Sequence, residues 1–186
     1  FYVSEWGDFL TVKSAYIHIP FCVRICTYCD FNKYFIDKQP VDEYLDALIK
    51  EMQVENNRKL ETMYVGGGTP TALNIVQLEK LLKAINNTFT IHGEYSFEAN
   101  PDELTYEKVA LLKKYGVNRI SMGVQTFKPE LLEILGRTHK TNDIYSAVNN
   151  ARKAGINSIS LEFHQQSGSA HCLAVLVLLM WLKQHR

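Results

Sequence analysis

Three of the four cysteines, Cys22, Cys26 and Cys29, fall within the stretch PFCVRICTYCDF at residues 20–31. Their spacing is C-x3-C-x2-C, and thiols so close together admit three readings: a disulfide remnant, three ligands of a zinc ion, or three corners of an iron–sulfur cluster. Disulfide frameworks spread their cysteines to staple distant segments, so crowding into one loop points to a reducing compartment and a metal site. A structural zinc site closes with four ligands, usually as two separated pairs. No second CxxC or HxxxH pair is present; His18 precedes the loop and Cys172 lies far along the chain. A [4Fe–4S] cube held by three thiolates leaves one iron open, able to chelate a ligand through an amine and a carboxylate.

Other residues with chemical capacity recur downstream. YVGGGTP, residues 64–70, is neither GxGxxG nor a Walker loop, so dinucleotide or ATP binding finds no support. Its glycines would let backbone groups approach a ligand, or would simply form a tight turn. FEANP presents Glu98, either an ordinary solvated or paired carboxylate or a partner for the hydroxyls and amine of a cationic ligand. MGVQTF presents Gln125, whose amide can bond polar ligand groups or cap the next helix. His18 reads as a packed strand residue.

These groups need elements that bring them together. Five apolar strands alternate with amphipathic helices: AYIHI, TMYVGG, YSFEA, RISMGV and SISLEF, with helices over residues 41–55, 74–87, 101–116, 129–135 and 142–154. Thr105 is the expected N-cap of the third helix, and Gly116 and Gly155 the expected helix stops. The roughly 30-residue repeat is that of βαβ units, hence a parallel sheet with helical crossovers. A polar or glycine-rich cluster follows each of the first four strands, as at the C-terminal strand ends of a barrel. The predicted fold class is therefore α/β, a partial (β/α)6 barrel incomplete at about five strands, with the fifth strand left at an edge.

Composition narrows the function. The 186 residues carry 20 basic and 20 acidic side chains, with no long basic run to hold a nucleic acid. No signal-peptide pattern opens the sequence, and the longest apolar run, Cys172–Leu182, is shorter than the roughly 20 residues a bilayer requires. A cytoplasmic protein is expected. Residues 1–11 fit neither period and read as translated upstream sequence, with Leu10 as an alternative start. Residues 12–163 form the core. Residues 164–186 lose the alternating pattern and read as a frameshifted or truncated tail with one apolar helix from about Ala170.

YIHIPFCVRICTYCDF, GGGTP, FEANPDEL, RISMGVQTF and LGRTH, in this order, resemble the radical S-adenosylmethionine superfamily, in particular its oxygen-independent coproporphyrinogen III oxidase-like group. The resemblance covers about residues 12–163. It implies that Cys22, Cys26 and Cys29 hold a [4Fe–4S] cluster whose open iron takes the amino-acid end of S-adenosylmethionine. It further implies that Tyr16 and Tyr28 lie near that cofactor, that Gly67, Gly68 and Thr69 meet its methionine end, and that Glu98, Gln125, Arg137 and Glu162 complete the pocket. The family has Asp where this chain has Glu162, one methylene longer.

The group has two branches. Oxidases carry a further cysteine two residues after the third cluster cysteine, where this chain has Phe31. Phe31, and His139 within GRTH, resemble the branch of heme chaperones, which bind heme as cargo and pass it to an acceptor protein. A heme chaperone is the expected function, with an unidentified acceptor and, if radical chemistry occurs, an electron donor as partners. Radical decarboxylation of coproporphyrinogen is the enzyme alternative. A zinc-stabilised binding module or an inactive fragment is the alternative of another class.

Overall fold

The computed structural model of the chain describes residues 12–55 and 58–163. The expectations for residues 1–11 and 164–186, including Cys172, lie outside the described residues. Seven strands and five α-helices are present among those described: β1 (Ser14–Ile19), β2 (Phe21–Cys22), β3 (Tyr34–Phe35), α1 (Val41–Gln53), β4 (Arg58–Gly67), α2 (Ile75–Thr88), β5 (Phe89–Ala99), α3 (Tyr106–Lys114), β6 (Arg119–Gln125), α4 (Pro129–Ile134), α5 (Thr141–Lys153) and β7 (Ser158–Phe163).

The five long strands pair in the order β1-β4-β5-β6-β7, and every pairing is parallel. The order follows the chain without reversing, so right-handed crossovers put the helices on one face of the sheet. A doubly wound sheet would reverse at a switch point and carry helices on both faces. The partial-barrel reading is thus borne out, and β1 and β7 are the sheet's edges among the described residues.

The two faces of the sheet differ sharply. Ile17 and Ile19 of β1, Met63 and Val65 of β4, Tyr95 and Phe97 of β5, and Ile120, Met122 and Val124 of β6 are buried in one apolar cluster. Leu45, Leu78, Leu82, Val109, Leu112, Ile144 and Val148 belong to the same cluster from the helices. The alternate residues are polar or small: Tyr16 and His18, Tyr64 and Gly66, Ser96 and Glu98, Ser121 and Gly123, Ser160 and Glu162. Parallel strands buried on both sides usually read as continuous apolar runs. Period-2 alternation here means that the second face was built for polar contact.

Helix ends follow the expected chemistry. Thr105 caps α3 by accepting from the Lys108 N–H at 3.3 Å. Gly116 and Gly155 take positive φ values of 92° and 86° just past α3 and α5, where a side chain would be strained. Asn74 and Gln77 form a reciprocal capping box at the start of α2. Two differences from the sequence reading stand out. β4 begins at Arg58 and β5 at Phe89, earlier than the expected strands, because the ladder already runs from Arg58↔Phe89 to Leu60↔Ile91 before a register shift. The two-residue strands β2 and β3 close the cysteine loop, and no hydrophobic period could announce so short a pair.

Phe97 is fully buried on the central strand. Its replacement by Ala should lower the unfolding free energy by about 3–5 kcal/mol, as aromatic-to-alanine changes in packed cores do, measured by urea denaturation.

Candidate functional site

The cysteine loop leaves β1 at Pro20 and returns beside it. Tyr34 N–H donates to the Pro20 carbonyl at 2.6 Å and Ile36 N–H to the Cys22 carbonyl at 2.9 Å, so the loop's stem is a parallel pair. Within it, the Cys29 N–H reaches the Cys26 carbonyl at 3.3 Å. Its outer limb is tied to α4: Thr27 donates from its N–H to the Leu135 carbonyl at 3.4 Å and from its hydroxyl to the Ile134 carbonyl at 3.2 Å. Carbonyls at a helix C-terminus lack intrahelical partners, and here the cysteine loop supplies them.

The glycine loop is laid directly on the exit from β1. Gly68 N–H donates to the Ile19 carbonyl at 2.8 Å and Thr69 N–H to the Phe21 carbonyl at 2.7 Å. A Cβ on Gly68 would lie 2.7 Å from the Phe21 oxygen and 2.9 Å from the Pro20 carbonyl carbon. Close approach of two backbones therefore requires this glycine, for which the sequence alone had offered either the approach of a ligand or a tight turn. Gly67 meets the His18 ring in the same way and has φ 121°. His18 is a bridge more than a packed strand residue: its Nδ1 lies 3.0 Å from the Tyr16 hydroxyl and its Nε2 3.1 Å from the Asn32 carbonyl.

Above the polar face, Cys22, Cys26 and Cys29 line one cavity of about 280 Å³. Tyr16, Tyr28, Gly67, Gly68, Thr69, Glu98, Gln125, Arg137 and Glu162 line it too, so the cysteines and all nine residues expected around the cofactor reach the same space, while His18 and His139 do not line it. Phe31 and Lys33 also border it. A larger groove of 540 Å³ runs between α1 and α2, but no motif residue lines it.

Electrostatics on the polar face centre on Glu98. Its carboxylate accepts from the Tyr64 hydroxyl at 2.7 Å and the Gly67 N–H at 2.9 Å. Burial nevertheless raises its titration above the ordinary 4.5, opposed by those two bonds and reinforced by the nearby Glu162. Burial and the same carboxylate raise the Tyr64 phenol. Glu162, on β7, accepts from the Ser121 hydroxyl at 2.5 Å. Burial pushes the Tyr28 phenol up to about 12. His139 is buried behind the site, within 3.1 Å of the Val124 carbonyl; burial and then Arg137 lower its titration.

Arg137 spans the gap between the cysteine loop and β6. Its Nη1 donates to Cys26 Sγ at 3.4 Å and its Nη2 to the Gly123 carbonyl, while its Nε is buried without a protein partner. Gln125 ends β6 at φ 63°, a left-handed conformation that costs a non-glycine residue about 1–3 kcal/mol. Such strain is typical of positions held for a site.

The donor set fits a cluster better than a lone ion. Among the described residues, no three His, Cys, Asp or Glu side chains converge as one metal ion demands. A cube that takes each thiolate at a different iron needs no such convergence. Hydrogen-bond donors already face two sulfurs, from Arg137 to Cys26 and from the Thr69 hydroxyl to Cys22 at 3.7 Å. Four contributors escaped the sequence reading: Tyr64, Asn100, Ser121 and Glu103. Tyr64 and Ser121 share the strand period of Gly66 and Gly123, a signal that could have placed them. Asn100 and Glu103 lie in a short turn with no period to follow.

The radical SAM superfamily model matches residues 16–163. The heme chaperone HemW of Bacillus subtilis is 52% identical over 158 residues, covering 81% of this chain and 42% of that protein. The oxygen-independent coproporphyrinogen III oxidase of Escherichia coli is 35% identical over 156 residues, covering 80% of this chain and 34% of the enzyme. In structure, the coproporphyrinogen III oxidase of Escherichia coli aligns with a TM-score of 0.79 at 31% identity, covering 90% of this chain and 41% of that one. The chain thus spans well under half the length of these relatives. A radical S-adenosylmethionine methyltransferase of Kitasatospora setae shares the fold alone, at a TM-score of 0.62 and 16% identity.

Glu98 sets a testable pH dependence. Its folded-state titration lies above the ordinary 4.5, so the folded chain holds that proton more tightly than the unfolded chain. This contribution to stability is complete below 4.5 and is lost as pH rises through the raised value. Glu98→Gln should therefore lose less stability than the parent between acid and neutral pH. Denaturation midpoints compared across that range check the sign.

Proposed function

The chain belongs to the radical SAM superfamily, and from that premise we propose that it is part of a heme chaperone carrying a [4Fe–4S] cluster and exchangeable S-adenosylmethionine. The observation that carries the reading is the convergence of three loop cysteines with Glu98, Arg137 and the glycine loop on one cavity. Cys22, Cys26 and Cys29 would hold the cluster. When bound, the cluster supplies a single electron at low potential to a sulfonium ligand at its open iron.

The protein's own residues bind and orient. Arg137 donates to Cys26 Sγ and keeps one buried N–H free of protein partners for a carboxylate or hydroxyl of the ligand. Glu98, fixed by Tyr64 and Gly67, presents negative charge to an amine or to ribose hydroxyls. Tyr16, half exposed at the β1 edge, covers one side of the space, and Gln125 and Glu162 bound the other. Reduced thiols suit the cytoplasm, where the proposal places the protein. No helix of the described residues is long and apolar enough to cross a membrane.

Phe31 favours heme transfer over porphyrinogen oxidation. It occupies the position at which the oxidase branch carries another cysteine, and it stands 72% exposed at the cavity rim. Identity to the Bacillus subtilis heme chaperone points the same way. Heme would be the cargo, delivered to an acceptor protein.

Anaerobic reconstitution tests the assignment. Cys22→Ala, Cys26→Ala and Cys29→Ala should each lose bound iron and sulfide, and Cys172→Ala should keep both. Equal loading of all four variants would remove the cluster assignment. Heme titration of the loaded chain separates the two branches: stoichiometric heme binding without consumption of coproporphyrinogen supports the chaperone, and consumption supports the oxidase.

A further inference from the structure

A run of hydrogen bonds that starts at Glu103, in the turn after β5, ends on the sulfur of Cys22. Glu103 accepts from Asn100 Nδ2 at 3.2 Å through one oxygen and from the Thr71 hydroxyl at 3.0 Å through the other. Asn100 Nδ2 also donates to Thr69 Oγ1 at 3.2 Å. Thr69 Oγ1 in turn lies 3.7 Å from Cys22 Sγ, and both residues are buried. Lys108 Nζ reaches the Thr71 carbonyl on the far side.

The far end dictates the direction of every bond. A carboxylate only accepts, so Asn100 must turn its NH2 rather than its oxygen toward Glu103. One amide hydrogen goes to the carboxylate and the other to Thr69 Oγ1. That oxygen has then accepted a hydrogen bond, and its own O–H remains free to donate. Cys22 Sγ is the acceptor within reach. Burial raises the titration of Glu103 and Asp102 adds to the rise, against the hydrogen bonds from Asn100 and Thr71 and the charge of Lys108.

We propose that Glu103, Asn100 and Thr69 form a directional relay that holds a hydroxyl proton on the Cys22 sulfur and raises the reduction potential of the cluster bound there. The inference rests on the reading that the three cysteines hold a [4Fe–4S] cluster. A donor at a thiolate sulfur stabilises the extra negative charge of the reduced cluster more than the oxidised form. Arg137, donating to Cys26, acts on a second sulfur in the same sense. Glu103 and Asn100 are positioning residues, since they act on Cys22 only through Thr69.

The test is a dithionite titration of the anaerobically reconstituted chain, following the reduced cluster by electron paramagnetic resonance. Thr69→Val removes the proton and should shift the oxidised-to-reduced ratio at a fixed ambient potential about fivefold toward the oxidised form, the worth of one ordinary hydrogen bond. Thr69→Ser keeps the hydroxyl and should match the parent. Glu103→Gln can donate as well as accept, so it frees the Asn100 amide to flip and should shift the ratio in the same direction by less. Identical ratios in the parent, Thr69→Val and Thr69→Ser chains would overturn the proposal. So would an unmoved Glu103→Gln chain, which also decides the matter if Thr69→Val fails to fold or load. A parent chain that takes up no iron or sulfide would remove the cluster reading itself and the relay with it; a loaded parent with unmoved variants removes the relay alone.

Discussion

The site depends on one backbone seam. Where β1 gives way to β2, the carbonyls of Ile19 and Phe21 accept from the N–H groups of Gly68 and Thr69, just past the end of β4. The two strands are already in parallel register from Ser14↔Thr62 to Ile19↔Gly67, and the seam continues that register beyond the sheet. It sets the first turn of the cysteine loop against the glycine loop, and a side chain at residue 68 would force the two apart. Thr69 can reach Cys22, and Glu98 can accept from Gly67, only because this contact is closed.

A polar sheet face is the second requirement, and it is costly. Carboxylates at Glu98 and Glu103 are largely withdrawn from water, and burial disfavours their charge. Each is offset by two directed hydrogen bonds, and at Glu103 the nearby Lys108 adds to them. The left-handed Gln125 adds backbone strain beside the same cavity. Stability must come from the other face, where helices bury the alternate residues of every strand in a continuous apolar cluster. The division lets one sheet be a rigid floor and a ligand-facing wall at once.

Fold and activity separate cleanly in this family. The same architecture aligns with an oxidase and with a methyltransferase, so the sheet itself does not choose the reaction. What distinguishes the proposed chaperone is local: an exposed aromatic at residue 31 where a further thiol stands in the oxidase branch.

By itself the sequence determined the alternation of strands and helices, because periods of 2 and 3.6 residues are written directly in the apolar pattern. It also determined which groups could share a site, since polar motifs recurred at the ends of parallel strands and parallel strands bring their C-terminal ends together. Cys22 and Glu98 were legible for that reason, whereas Arg137, in the loop after α4, was reached only through the resemblance. Tertiary structure alone decided what each group touches. The need for glycine at residue 68 comes from the Phe21 backbone, and the orientation of the Thr69 hydroxyl comes from Asn100 and Glu103. His18 joins Tyr16 to the returning cysteine loop at Asn32. The contacts from His18 to Asn32, from Asn100 to Thr69 and from Thr69 to Cys22 link residues 14 to 47 positions apart, and the direction of a hydrogen bond depends on partners that no local pattern encodes.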